Sequence, residues 1–238
     1  VTTRDILRFD GVTGNRLGIF TALGDYTDPF AMAFDSRGDL YVGVGTLATG
    51  NPISPYVNGG VLKVDGSTGA MLGVFGDTSQ LVSGLTSPEG MTFGPDGDLY
   101  VASRGSGSVL RYDGTSGAFR GVFGDAALAD SGLQEPTDVE FGPDGNLYVA
   151  DGSGDSILMY DGISGSFIGE CVLAGAGGLD FPLDIEFGTD GDLFVVSPNI
   201  IGILRYSGET GAYLGVFGED PGHPLNSRPI DIEFRVGS

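Results

Sequence analysis

An all-β fold, a five-bladed β-propeller with antiparallel four-stranded blades, is what this 238-residue sequence predicts. Three observations carry the prediction: a proline-marked internal repeat, period-two alternation inside each repeat, and turn chemistry between the alternating runs. Pro29, Pro88, Pro136, Pro182 and Pro229 open the repeats, at spacings of 59, 48, 46 and 47 residues. A repeat of about 47 residues holding several short strands is a unit that cannot bury both faces alone, so units stack around an axis.

In the repeat from Pro136, the runs "TDVEF", "NLYVA", "SILMY" and "SFIGECV" alternate with period two and read as four strands, A to D from the axis outward. "GPDG" joins A to B, and "DGTSG" or "DGISG" joins C to D. Proline fixes φ in these turns, and glycine or aspartate tolerates a positive φ. Strand B is rich in β-branched and aromatic residues, as in "LYVAS", "LYVAD" and "LFVVS". The blades expected are 29–87, 88–135, 136–181, 182–228, and a composite of 229–238 with 1–28, all in one domain, 1–238.

The long first step reflects an insertion, "GTLATGNPISPYVNGG". The start of the chain, "ILRFDGVTGNRLGIF", matches strands C and D of the repeats, and "PIDIEF" at the end matches strand A. The two ends therefore complement each other in one blade, which comes out short of strand B. A larger ring of which this chain is part is the competing explanation.

Composition excludes several function classes. With 32 acidic residues against 11 basic ones the formal charge is −21, and Lys63 is the one lysine. Such a surface repels phosphate backbones, so no nucleic-acid partner is expected. No apolar run reaches the length of a membrane span. Cys171 rules out an internal disulfide and reads as a small apolar strand residue. His223 is the one histidine, so a multi-histidine metal site is excluded.

The repeats differ most on strand A. Two and four residues after the opening proline stand Ala31 and Ala33, Gly90 and Thr92, Asp138 and Glu140, Asp184 and Glu186, and Asp231 and Glu233. Period two places both members of each pair on one strand face, towards the axis. Unpaired carboxylates there are costly, so something compensates them. A hard cation is one candidate, because calcium takes six to eight oxygen ligands; Asp138, Asp184 and Asp231 are the metal ligands expected, with Ca2+ the expected cofactor. Basic strand-C residues or hydrogen bonds from turn amides are the others: Arg8, Lys63, Arg111 and Arg205 share one repeat position, with Met159 as the exception. Asp151, which ends "LYVAD", falls on the same ring face as the strand-A starts and joins the candidate ligand-binding set of Asp138, Glu140, Asp184, Glu186, Asp231 and Glu233.

The runs "PTDVEFGPDGNLYVA" and "VLRYDGTSGAF" resemble the NHL-type propeller repeats of secreted and surface proteins from environmental bacteria, and more distantly the virginiamycin B lyase group. The resemblance covers nearly the whole chain. It implies the propeller fold, and a place outside the cell or on its surface. In the lyase group it implies a histidine base, a role for which this chain offers only His223. No catalytic constellation is otherwise legible, so the expected function is a non-enzymatic, monomeric binding or structural module whose ring face takes a glycan, protein, small molecule or cation. The alternative is a metal-dependent lyase- or lactonase-like, or a glycosidase-like, enzyme using the axial carboxylates.

Overall fold

The computed structural model describes residues 5–23, 27–46, 59–76, 84–124, 132–200, 202–217 and 232. They form β-sheets only, apart from two short 3-10 turns at Arg104–Ser106 and Ala176–Gly178.

The first blade is β3 (Thr27–Phe34), β4 (Leu40–Thr46), β5 (Gly60–Val64) and β6 (Met71–Val74). The second is β7 (Pro88–Phe93), β8 (Leu99–Ser103), β9 (Ser108–Tyr112) and β10 (Phe119–Phe123). The third is β11 (Pro136–Phe141), β12 (Leu147–Asp151), β13 (Ser156–Tyr160) and β14 (Phe167–Val172). The fourth is β15 (Asp184–Phe187), β16 (Leu193–Val196), β17 (Ile203–Tyr206) and β18 (Tyr213–Phe217). Each is an antiparallel meander in sequence order, and the first strands β3, β7, β11 and β15 neighbour one another around the axis. Proline can open the innermost strand because the first strand position need not donate a ladder hydrogen bond.

The expected blade count is corrected. The described residues hold four complete blades, not five, and a separate two-stranded sheet of β1 (Ile6–Phe9) and β2 (Arg16–Thr21). These are strands C and D of the composite unit. Its strand A lies outside the described residues except for Ile232. Proline spacing counts repeat starts, and a start does not guarantee four strands.

Turn chemistry accounts for the sharp corners. In the second blade Asp113 Oδ1 accepts from the N–H of Thr115 at 3.1 Å, the N–H of Ser116 at 2.7 Å and the Ser116 hydroxyl at 2.8 Å. Asp10, Asp65 and Asp161 repeat the arrangement. These bonds favour the ionised form, so the Asp65 carboxyl is drawn down to about 2, by the Ser67 and Thr68 hydroxyls first.

The core lies between blades and is keyed by aromatic rings. Tyr41 meets Phe93 of the next blade edge-on at 4.9 Å, Tyr100 meets Phe141 at 5.0 Å, and Tyr148 meets Phe187 at 4.8 Å. Each tyrosine is the second residue of a strand B, and each phenylalanine ends the following strand A. Around them pack the buried Leu99, Val101, Val149, Ile157, Val195 and Leu204.

Candidate functional site

The strand-A carboxylates form two rungs down the axis. On the upper rung, Asp138 is buried, and the backbone N–H of Ile185, in the next blade, donates to its Oδ2 at 3.0 Å. Asp184 receives the N–H of Ile232 in the same way at 2.6 Å. The two carboxyl groups are close enough for the charge of one to act on the other. Burial pushes the Asp138 carboxyl well above the usual range, the Asp184 charge adds to this, and the Ile185 N–H opposes it.

Room for this rung comes from Gly90. A Cβ there would collide with the Asp138 carboxyl and lie 2.5 Å from its Cα, so the second blade must carry glycine where the third carries aspartate. The small residue opposite the acids is therefore a packing requirement.

On the lower rung, Glu140 and Glu186 are half-buried neighbours. Burial pushes the Glu140 carboxyl up to about 7, the Glu186 charge adds to it, and a hydrogen bond from the Thr92 side chain partly offsets both. The lower rung is thus the part of the axis where charge is closely balanced between two protonation states. Sequence reasoning did not assign Thr92 a role; its place opposite Glu140 on strand A was the available signal.

Asp151 stands opposite Pro136, at the start of strand A. Buried at the end of β12, it accepts the N–H groups of Gln134 at 3.1 Å and Glu135 at 2.8 Å, tying down the loop that enters β11. Asp231 and Glu233 lie outside the described residues, as does His223.

The basic strand-C residues do not reach the axial acids. Arg205 binds Asp192 at 2.7 Å through Nε and Asp190 at 2.8 Å, in the A–B turn of its own blade. Arg111 binds Asp98 at 2.7 Å and Asp96 at 2.6 Å, and Lys63 binds Asp39 at 3.0 Å. Registers Glu186↔Phe194 and Phe194↔Arg205 put acid and guanidinium on one line across the sheet with an aromatic ring between them. Two strand spacings, roughly 9.6 Å, separate their backbones, and Arg205 lies over the Phe194 ring at 5.5 Å. In the third blade the pattern changes at both ends: Met159 stands for arginine and Asn146 for Asp98 or Asp192, with the Asn146 amide donating to Asp144 at 2.7 Å. Beside Met159 a cleft of about 590 Å3 opens between the third and fourth blades, lined among others by Asp144, Glu170, Cys171 and Glu209. Burial, with the Asp144 charge behind it, pushes the Cys171 thiol up to about 11, so it is not a nucleophile there.

Calcium needs six to eight oxygens. Among the described residues no three acidic, histidine or thiol side chains converge as ligands. Asp138 and Asp184 of the described upper rung supply fewer oxygens than calcium takes; Asp231, the third expected ligand, lies outside the described residues.

The mouth above the upper rung carries features the sequence did not single out. Arg104 donates to Glu89 at 2.9 Å, reaches Glu135 at 3.4 Å, and lies over the Phe181 ring at 5.3 Å. Phe181 and Ser87, each directly before an opening proline, have φ of 55° and 49°. Non-glycine residues held there cost on the order of 1–3 kcal/mol and concentrate at binding and active sites. The Phe181 N–H is held by Asp155 at 2.8 Å.

No family model and no curated protein matches the chain. Solved structures do. Hydrazine synthase of Kuenenia stuttgartiensis is similar at a TM-score of 0.56 and 19% identity, over 80% of this chain and 49% of that one. A protein of unknown function from Bacteroides caccae is similar at 0.56 and 13%, over 88% and 67%. A luciferin-regenerating enzyme is similar at 0.58 and 17%, over 82% and 64%. The chain thus spans from half to two thirds of these structures, and at such identities the likeness shows the propeller arrangement alone.

Proposed function

We propose that this propeller is a non-enzymatic binding module whose axial carboxylates hold a cationic group. The observation that carries the reading is the lower rung: Glu140 and Glu186 sit together half-buried, and their repulsion with burial lifts Glu140 to about 7. A cation placed between them relieves that repulsion, whereas the backbone already uses the upper rung. The formal charge of −21 draws cations towards the ring at long range. An ammonium or guanidinium group on a protein or small molecule suits two carboxylates better than a calcium ion does. Arg104 over Phe181 gives the mouth a flat, polar-edged platform on which a larger ligand, a sugar included, can rest. The NHL-type resemblance and the acidic, lysine-poor surface favour a place outside the cell or on its surface.

Calorimetric titration with arginine methyl ester and with calcium chloride tests this. Saturable binding of the organic cation, lost in Glu140→Gln/Glu186→Gln, is expected. No binding, or binding unchanged in the double variant, overturns the reading.

One observation favours an enzyme instead: a carboxyl group near 7 is suited to general acid–base catalysis at neutral pH. Turnover of an aryl glycoside or a lactone that disappears in Glu140→Gln would establish that second reading.

A further inference from the structure

We infer that the cleft between the third and fourth blades binds a small organic cation that carries an aromatic ring, an arylalkyl ammonium or guanidinium compound.

The inference starts from how the other blades cover the aromatic second residue of strand B. Two side chains of the same blade do so. One is the phenylalanine of strand D: Phe75 meets Tyr41 edge-on at 4.8 Å, Phe123 meets Tyr100 at 5.0 Å, and Phe217 meets Phe194 at 4.9 Å. The other is the cation of strand C: Lys63 lies over the Tyr41 ring at 5.1 Å, and Arg111 over Tyr100 and Arg205 over Phe194, both at 5.5 Å. The strand-D runs accordingly read Gly-Ile-Phe at 18–20 and Gly-Val-Phe at 73–75, 121–123 and 215–217.

The third blade has replaced both. Its strand D reads Gly-Glu-Cys-Val over 169–172, and its strand C carries Met159. Tyr148 keeps Phe187 of the next blade at 4.8 Å, but neither Cys171 nor Val172 offers a ring and Met159 offers no charge. Tyr148, Met159 and Cys171 line one cleft of about 590 Å3, a size within the range of roughly 300–1,000 Å3 that small-molecule pockets occupy. The opening thus lies against an aromatic ring that has lost a benzyl group and a cation, and a ligand supplying both would complete the joint as the other blades complete theirs.

The border of the cleft has changed in the same sense. Glu170 takes the place of Ile19, Val74, Val122 and Val216, and Glu209 stands in the C–D turn where the other units have Val12, Ser67, Thr115 and Ile163. Both line the cleft with Asp144, and among the described residues no basic side chain does; Asp190 and Asp192, on the same wall, are held by Arg205. A cation over the Tyr148 ring gains from the ring's negative face as well as from these carboxylates. The connections outside the described residues, 125–131 and 218–231, join a fourth strand to a first, whereas the cleft is framed by the A–B and C–D turns at the opposite end of the sheets. The inference is independent of the axial carboxylates.

The probe is phenethylammonium chloride, titrated into the full chain and followed by calorimetry and by the methionine methyl resonances. Saturable binding is expected, with a shift at Met159 and none at Met32, Met71 or Met91. The same binding is expected in Glu140→Gln/Glu186→Gln; binding that vanishes in that variant overturns the inference and gives the ligand to the axis. Ethylammonium, which lacks the ring, and phenethyl alcohol, which lacks the charge, should each bind roughly tenfold more weakly or worse. Asn146→Asp/Met159→Arg restores the pair that the second and fourth blades carry and should abolish binding while Tm is kept or raised. Glu170→Gln, at an exposed position, should weaken binding severalfold. No shift at Met159, ethylammonium binding as tightly as the aryl compound, or binding indifferent to the restored arginine overturns the inference.

Discussion

Asp138 in the third blade accepts the backbone N–H of Ile185 in the fourth, at 3.0 Å, through a carboxyl group that burial and the neighbouring Asp184 charge hold well above the usual range. A side chain that looked like a ligand in the sequence also clasps two blades together. Its neighbour Asp184 accepts the next N–H, from Ile232. Breaking the first clasp by Asp138→Ala leaves a buried amide unpaired, and should cost about 1–3 kcal/mol in urea unfolding. Asp138→Asn keeps a donor and an acceptor and should cost less than half as much.

The lower rung makes stability fall as pH rises. Glu140 is raised in the folded protein, so the native state binds more protons than the unfolded one between the ordinary value of 4.5 and about 7. Stability from this group is full below that window and is lost through it, by up to about 3 kcal/mol. Asp138, raised by burial, acts in the same direction. Asp65, lowered to about 2, acts oppositely, losing its contribution as pH falls from 3.8 through 2. Thermal melts should therefore peak between about pH 4 and 5 and decline towards pH 7. Glu140→Gln should flatten the decline; an unchanged profile would place the titration elsewhere.

Gly90→Ala should be among the most damaging small substitutions. Its Cβ has no space beside Asp138, and strand A cannot move without opening the joint. A loss of about 1–3 kcal/mol is expected from overpacking. Gly73→Ala places its Cβ in open space, so its penalty is the backbone strain of a φ of 126° alone.

Arg205 and Asp192 should behave as a unit. Arg205→Met leaves the turn acids Asp190 and Asp192 without their guanidinium and should cost about 1 kcal/mol or less, given the partial exposure of the pair. Adding Asp192→Asn reproduces the Asn146–Met159 pairing of the third blade and should recover much of the loss. A double-mutant cycle with no coupling would show that the two positions are independent.

The strand runs, the turns and the axial placement of the strand-A pairs were legible because period two and turn residues are local signals. Partner choice was not. Arg205 and Glu186 share a rung, so the sequence suggests an ion pair, but register says nothing about the aromatic ring between them or the two strand widths to cross. The signal that was present is the joint change of Asn146 and Met159, which ties strand C to the turn. Asp151 stands opposite Pro136, at the ring face where its strand ends, and two loop amides take up its carboxylate, a partner choice that period two does not encode. The described residues stop at four complete blades and the β1–β2 pair because a repeat start is visible in sequence, whereas a filled neighbour position is a property of the ring.

The three tyrosine–phenylalanine joints, at 4.8 to 5.0 Å, amount to a common gauge. Any unit that ends its first strand in phenylalanine and carries tyrosine in its second can be spliced after any other without recutting the contact. Duplication of one repeat in the gene would then yield a protein whose new seam is already fitted, which is how a chain can lengthen by whole blades while its axial residues drift. The second and third units, nearly the same in their turns yet Gly90–Thr92 in one and Asp138–Glu140 in the other, are what such a history leaves behind.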